Sequence, residues 1–310
     1  MRFLLLIVLH VAASAGAFAA TVEIVPGVDD TGRATALWRE MIRKRLPAAD
    51  FRAIEHLEKP LTAGEAAWAA LIHSRAAPWE KEAPALAQVF RPLAPPAARI
   101  VLGNRGGEDA FTHDPHTIGF DLERLQAIYG DAAKPENTAR IDRFFRHEYT
   151  HLLQKAWLQQ HPYAADTPLD AALLGTWLEG MGNWYSMSDG WRATDGRESG
   201  KARETLAILV PRFVARLAAL ACATESDAKR LMADHSMGRF DRKWGALTAA
   251  LWIEQEASVS DNALRNFVLA GPEGVWALAK RHVEPSLSPV LEEIRAAEVL
   301  CRGKRSDGQD

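Results

Sequence analysis

Hydrophobic residues recur at helical spacing through the middle of the chain and predict its longest helix. Between residues 138 and 160 the apolar residues recur at spacings that suit an apolar stripe: Ile141, Phe144, Phe145, Leu152, Leu153 and Trp157. Spacings of three and four residues are typical of an amphipathic helix. The segment from Pro135 to Thr138 favours a helix start. We therefore expect a helix over residues 138–160.

A second helix is predicted shortly afterwards. Thr167 is a favourable N-cap, Pro168 suits the first helical position, and Asp170 places a negative charge in the first turn. Because the connection between the two helices is short, we expect them to pack antiparallel to each other.

Three segments have the pattern of strands. Residues 98–102 and 117–122 alternate in the way that predicts a strand, and residues 22–25 form a further short one. Five or so helices are indicated after residue 201. The predicted fold class is α+β and mostly helical, with a small mixed sheet before the long helix and an all-helical C-terminal region.

The long predicted helix contains a metal-binding pattern, His147-Glu148-Tyr149-Thr150-His151. Positions i and i+4 share one helix face, so both imidazoles can address one metal ion. Zinc in a hydrolytic site takes three protein ligands and a water, whose proton an adjacent carboxylate can accept. The pattern predicts His147 and His151 as zinc ligands and Glu148 as general base. The alternative is a helix with two metal-free histidines on a half-buried face.

A third ligand is predicted on the second helix. Glu179 lies in an apolar stretch, where an unpaired carboxylate is costly. Antiparallel packing would bring it to the histidine pair, and Gly180 and Gly182 allow a close approach of the backbones. The alternative is an exposed glutamate at a helix end.

Together these residues resemble the gluzincins, zinc metallopeptidases of thermolysin-like fold in which a glutamate on the next helix completes the site. The segment from Glu179 to Gly182 is similar to the Glu-Gly-x-Ala segment of several such families, with Gly182 in place of the alanine. The resemblance covers roughly residues 98 to 190. It implies one Zn²⁺ per chain, bound by His147, His151 and Glu179. It also implies a peptide or protein substrate, hydrolysed by a zinc-activated water with Glu148 as general base.

Three further expectations follow from this resemblance. Related enzymes often carry an aspartate where this chain has Asn183, which we expect to support a ligand histidine. Tyr149, Tyr185 and His235 are candidates for stabilising the oxyanion, and we assign that role to His235. An edge strand pairs with the extended substrate in zincins, and by resemblance we expect residues 117–122 to form that strand. The alternative is a buried sheet strand without substrate contact.

The chain divides on this interpretation into five segments: a signal peptide (1–19), a mainly helical N-terminal region (20–96), a zincin-like catalytic core (97–200), a C-terminal helical region (201–301) and a flexible tail (302–310). A charged start, a short apolar run and an Ala-x-Ala pattern indicate the signal peptide. The protein is therefore expected to be periplasmic or secreted, without a stable membrane anchor. In that setting Cys222 and Cys301 either pair or remain separate thiols.

The net charge of the chain bears on which partners it can bind. A net charge of −3 and a pI of 6.4 argue against nucleic acid as a partner. The predicted function is an exported zinc metallopeptidase, a hydrolase. Two alternatives stay open from the sequence: a zinc hydrolase of a non-peptide amide or ester, and a catalytically inactive binding module with a peptidase fold. The intact Glu148 weighs against the second, because a binding module needs no general base.

Overall fold

A computed structural model describes residues 20–194 and 197–306, so the predicted signal peptide lies outside the described residues. The described chain forms four strands and thirteen α-helices. In chain order these are β1 (Val22–Pro26), α1 (Ala36–Arg43), α2 (Ala48–Ile54), α3 (Ala63–His73), α4 (Ala76–Ala87), β2 (Ala98–Gly103), β3 (Ala110–Asp114), β4 (Thr117–Asp121), α5 (Leu122–Tyr129), α6 (Pro135–Gln160), α7 (Pro168–Ser186), α8 (Gly200–Ala221), α9 (Glu225–Leu231), α10 (Ala246–Ala257), α11 (Ala263–Ala270), α12 (Glu273–His282) and α13 (Ser288–Ser306). The mostly helical α+β class predicted from the sequence is confirmed.

The strands form one mixed sheet in the order β1-β2-β4-β3. β1, β2 and β4 run parallel, whereas β3 pairs antiparallel to β4 at the edge. β3 was not predicted, and it corrects the expectation about the edge strand. The predicted strand at residues 117–122 is β4, which lies between two neighbours and is buried at every position. β3 is the edge strand on the side of α6.

Apolar side chains cover both faces of the sheet. The larger core runs from Ala20 through the central helices to Ile294 on α13. A smaller core lies between the other face and the first two helices, and consists of Trp38, Met41, Ile42, Phe51, Val101 and Phe111. Because β1, α3 and α4 contribute to these contacts, residues 20–96 share the core of the segment predicted to be catalytic.

The two helices that were predicted to hold the metal site pack against each other. α6 begins at Pro135, three residues before the predicted start, and ends at Gln160 as expected. At the start of α7 the Thr167 side chain accepts from the Asp170 amide, and the Asp170 carboxylate accepts from the Thr167 amide. This capping box satisfies two amides that a helix start otherwise leaves unpaired.

The C-terminal helices enclose α7 from the other side. α10 lies close along α7, since a Cβ placed on Gly180 would lie 2.6 Å from the Cβ of Ala249. Cys222 and Cys301 form a disulfide that joins the end of α8 to α13. α13 continues to Ser306, so residues 302–306 of the predicted tail are helical. Within the described ranges, we find no helix with the length and apolar character needed to cross a membrane.

Candidate metal centre

α6 and α7 bring the three predicted ligands together. The Nε2 atoms of His147 and His151 lie 3.1 Å apart. The Glu179 carboxylate approaches both rings, with Oε2 3.5 Å from His147 Nε2 and Oε1 3.7 Å from His151 Nε2. All three side chains are partly buried. No second group of three histidine, cysteine or acidic side chains close enough to hold an ion occurs in the part of the chain that the structure describes.

These separations fit a tetrahedral zinc site. Zinc binds imidazole nitrogen and carboxylate oxygen at about 2.0–2.2 Å, so two ligand atoms of a tetrahedron stand about 3.3–3.5 Å apart. The distance between the two imidazole nitrogens is 3.1 Å, and the distances from these nitrogens to the two different oxygens of Glu179 are 3.5 and 3.7 Å; together they bracket that value. The set of two imidazoles and one carboxylate also suits zinc in preference to Mg²⁺ or Ca²⁺, which favour oxygen ligands.

The pKa values of Glu179 and His147 depend on each other's charge. Burial disfavours ionisation of Glu179, but the hydrogen bond with His147 and the positive charge of both histidines lower its pKa to about 2. Burial likewise favours the neutral ring of His147, yet Glu179 and Glu148 raise the pKa of that ring overall. The site therefore stabilises a carboxylate beside positive charge, which a divalent cation would supply.

Neighbouring side chains hold the rings of the two predicted ligand histidines, and these contacts differ from the prediction. His151 Nδ1 lies 2.9 Å from Gln154 Oε1, so its proton can be donated there while Nε2 faces the cluster. His147 Nδ1 lies 3.5 Å from Ser186 Oγ. Among the described residues, neither ring is hydrogen-bonded to Asn183, whose amide nitrogen donates to the Glu179 carbonyl oxygen at 2.8 Å. The expected role of Asn183 is therefore wrong.

Gln154 also links the two helices. It is fully buried, and its amide nitrogen donates to the backbone oxygens of Trp177 and Leu178 at 3.1 and 3.2 Å. One side chain thus orients His151 on α6 and fixes α7 immediately before Glu179. Sequence reasoning missed Gln154, although its position three residues after His151 places it on a neighbouring part of the same helix face.

Glu148 lies beside the cluster and contacts the sheet. Its side chain is buried, and Oε2 accepts a hydrogen bond from the Thr112 hydroxyl at 2.8 Å. Thr112 lies in the middle of β3, so the carboxylate is held between α6 and the edge strand. No hydrogen bond to Glu148 Oε1 occurs within the described ranges, and this oxygen is available to accept a proton.

The position of the His147 ring explains why the chain has Gly182 where the Glu-Gly-x-Ala segment has alanine. A Cβ at this position would lie 2.9 Å from His147 Cε1 and 3.1 Å from His147 Nε2, which is closer than side chains pack. The ring of His147 occupies the space that an alanine methyl group would need. The glycine is therefore tied to the position of a predicted ligand.

The three candidates for oxyanion stabilisation lie elsewhere. His235 is 4% exposed, its Nε2 is 2.8 Å from Thr176 Oγ1, and the ring is also hydrogen-bonded to the Ala172 backbone, so both contacts are made with α7. Burial lowers its pKa to about 4 and keeps the ring neutral. Tyr149 donates to the Pro96 carbonyl and Tyr185 to that of Leu86. We correct the assignment of His235: in this arrangement it supports α7 and has no free N–H for a reacting group.

Comparison with known proteins identifies no relative of this chain. No protein-family model matches the chain, and neither a curated protein nor a solved structure is significantly similar to it.

Proposed function

We propose that the protein is an exported zinc metallopeptidase. The observation that carries the proposal is the convergence of His147 Nε2, His151 Nε2 and the Glu179 carboxylate: the two nitrogens lie 3.1 Å apart, and each lies 3.5 or 3.7 Å from one oxygen of Glu179. These separations suit the ligands of a tetrahedral zinc ion. A fourth group, Glu148, stands next to the set without belonging to it. This division between ligands and an adjacent carboxylate is what a water-activating site requires.

Zinc, when bound, supplies Lewis acidity and lowers the pKa of a water molecule at its open position. Glu148 Oε1 then accepts the proton of the attacking water and delivers it to the leaving amine. The Thr112 hydroxyl restrains Oε2 of the same carboxylate, which keeps the accepting oxygen in one orientation. Positioned proton transfer of this kind contributes roughly 10²- to 10⁴-fold to a rate.

The edge strand supports a peptide as substrate. β3 pairs with β4 on one side only, and it lies over α6 at the level of Glu148. An extended peptide can add to such an edge through backbone hydrogen bonds, which a small amide or ester cannot do over the same length. The contact between Thr112 and Glu148 would place the backbone of that peptide beside the general base.

The disulfide supports the proposal that the protein is exported from the cytoplasm. Disulfides form and persist mainly in oxidising compartments, and Cys222–Cys301 is the only cysteine pair in the chain. This agrees with the signal peptide expected at residues 1–19.

Glu148→Gln tests the mechanism. The substitution preserves the shape of the side chain and removes its ability to accept a proton, so peptide turnover is expected to fall at least about 100-fold. Zinc content is expected to stay near one per chain, because Glu148 is not a ligand. Glu136→Gln, in the first turn of the same helix, is the matched control and should keep full activity. Retention of activity in Glu148→Gln would refute the assigned base.

A further inference from the structure

A cavity behind the two site helices has no part in the proposed chemistry. It has a volume of about 620 Å³, opens to solvent, and is enclosed by α4, α6, α7, α10 and the segment that follows α7. Sites for small molecules usually measure about 300–1,000 Å³, so the space is sufficient for a ligand. Its lining includes Glu82 and Leu86 from α4, Arg146 from α6, Trp184 and Tyr185 from α7, and Ala257 from α10.

The last turns of α7 separate this cavity from the metal centre. None of the three predicted ligands lines the cavity. Gly182 and Ser186 lie on the face of α7 that meets the His147 ring. Because a helix turns by about 100° per residue, Trp184 points to the opposite face and Tyr185 to a flank. The cavity is therefore a second space and not part of the metal centre.

Two arginine–glutamate pairs line the cavity, and one of them is complete. Arg192 donates from Nη1 to Glu254 Oε2 and from Nη2 to the Trp184 carbonyl oxygen, both at 2.7 Å. The Glu254 carboxylate is buried and also accepts from Trp184 Nε1 at 2.8 Å and from the Ala193 amide at 3.0 Å. These bonds tie the end of α7 to α10. Their polar groups are used within the protein, so this pair stabilises the wall of the cavity.

The second pair leaves hydrogen-bond donors unused. Arg146 donates from Nε to Glu82 Oε1 at 2.5 Å. Within the described residues, neither Nη1 nor Nη2 of Arg146 donates a hydrogen bond, and the side chain is 36% exposed. These two atoms carry four of the five N–H donors of a guanidinium, in a planar fork that matches a carboxylate. One wall of the cavity thus offers an unoccupied fork, whose orientation Glu82 fixes from the side.

Positive charge on α6 favours an anion at Arg146. Arg140, Arg143 and Arg146 follow each other at intervals of three residues, which makes them neighbours on the helix surface. Asp142, the acidic residue of this segment, is already bound by Arg75 through two hydrogen bonds of 2.9 and 3.0 Å. Arg143 has no ion-pair partner in the part of the chain that the structure describes. The helix therefore carries positive charge next to the cavity that no carboxylate of the described chain neutralises.

The other surfaces of the cavity suit an apolar group. The rings of Trp184 and Tyr185 are in edge-to-face contact, with their centroids 4.8 Å apart. Leu86 is buried, and Ala257 adds a methyl group from α10. Aromatic rings supply large contact areas for apolar and aromatic ligands. A ligand that uses both the fork and these surfaces has one negatively charged end and one apolar end.

We propose that this cavity is a second binding site, for a small molecule that carries a carboxylate on an apolar or aromatic body. The carboxylate accepts hydrogen bonds from Nη1 and Nη2 of Arg146, because its two oxygens lie in one plane and match the guanidinium fork. The body packs against Trp184, Tyr185 and Leu86. The site needs no zinc, so it is independent of the function proposed above.

Isothermal titration calorimetry on the purified protein tests the site with defined probes. The probes are three acids, phenylacetate, hydrocinnamate and hexanoate, and the primary amide of each. An acid and its amide share one body and differ in charge, so their comparison isolates the carboxylate. At least one acid is expected to bind about tenfold or more tightly than its amide, as a hydrogen bond to a charged group gives.

Variants then locate the bound acid. Arg146→Gln should abolish the preference for acid over amide, and Arg146→Lys should keep part of it, because lysine retains the charge without the fork. Ala257→Trp should abolish binding of both probes by filling the cavity from α10 without altering Arg146. Arg281→Gln is the matched control and should change nothing, because Arg281 also pairs with a glutamate, Glu256, but does not line the cavity. Circular dichroism verifies that each variant is folded.

Three outcomes would overturn the inference. The first is equal affinity for acids and amides, and the second is no measurable binding of any probe. The third is a preference that persists in Arg146→Gln or in Ala257→Trp, since the acid would then be bound elsewhere, the metal centre included. If Arg146→Gln does not fold, Ala257→Trp decides alone. None of these results depends on peptide hydrolysis, so the failure of this site and the failure of the proposed function are distinguishable.

Discussion

Replacing Gly182 by alanine should weaken zinc binding without weakening the fold. The added Cβ would lie 2.9, 3.0 and 3.1 Å from three atoms of the His147 ring. The ring therefore has to move by about 0.5 Å to restore an ordinary contact of 3.4 Å. His147 can move, because its side chain is 19% exposed and its Nδ1 has only a long contact with Ser186.

Two opposing effects set the free energy of unfolding of the metal-free protein. Alanine is favoured over glycine in a helix interior by about 1 kcal/mol. Displacing the His147 ring from its preferred rotamer costs about 0.5–1.5 kcal/mol. The two effects nearly cancel, so we expect little change in stability.

The zinc affinity of the Gly182→Ala variant, unlike its stability, is expected to fall. Ligand distances in a metal site tolerate about ±0.2 Å, which is less than the displacement that the methyl group imposes. Disturbing the support of a ligand typically costs about 10- to 100-fold in metal affinity, or about 1.4–2.7 kcal/mol. We expect a loss in this range for Gly182→Ala.

Competition with a chromophoric chelator measures the zinc affinity, and urea unfolding in EDTA measures the stability. Gly190→Ala is the control, because a Cβ there would meet nothing within 4 Å. An unchanged zinc affinity in Gly182→Ala would show that His147 is not a ligand in this geometry. A large loss of metal-free stability would show that the ring cannot move.

Two further predictions concern buried side chains near the centre. Gln154→Leu should lower zinc affinity about 10- to 100-fold by releasing His151, as measured by the same competition, and unchanged affinity would refute its role. His235 should make the metal-free protein less stable in mild acid: its folded pKa of about 4 lies below the ordinary 6.5, so the unfolded chain takes up the proton first as pH falls. From pH 7 to pH 5 the contribution of His235 to the free energy of unfolding should drop by about 2 kcal/mol. Measured by urea unfolding, the His235→Gln variant should therefore lose less stability over that interval than the wild type. Equal losses would contradict the prediction.

Local signals made the two site helices predictable. The apolar spacing of α6 and the cap formed by Thr167, Pro168 and Asp170 act within a few residues, and the structure bears out both helices. Their antiparallel packing follows from the short connection, and it brings Glu179 to the histidine pair. Each of these inferences depends on interactions between residues that are close in sequence.

The features that were missed depend on distant contacts. β3 has one fully buried position, Phe111, and its polar residues give no clear alternation; its pairing with β4 is what makes it a strand. The contacts that hold the predicted ligands were also misjudged, because the Asn183 amide donates to its own helix while Gln154 contacts His151. The separation of His235 from Glu179 along the chain favoured a role in stabilising the oxyanion. In the structure its ring is buried and contacts Thr176 on α7.

Zinc stoichiometry is the most direct test of the central claim that His147, His151 and Glu179 form a zinc site. Inductively coupled plasma mass spectrometry should find about one zinc per chain in the purified protein. Glu179→Ala should remain folded by circular dichroism and lose the metal, whereas Asn183→Ala, one turn further along α7, should retain it. A folded wild-type protein that takes up no zinc on reconstitution, or a Glu179→Ala variant with undiminished zinc, would contradict the claim.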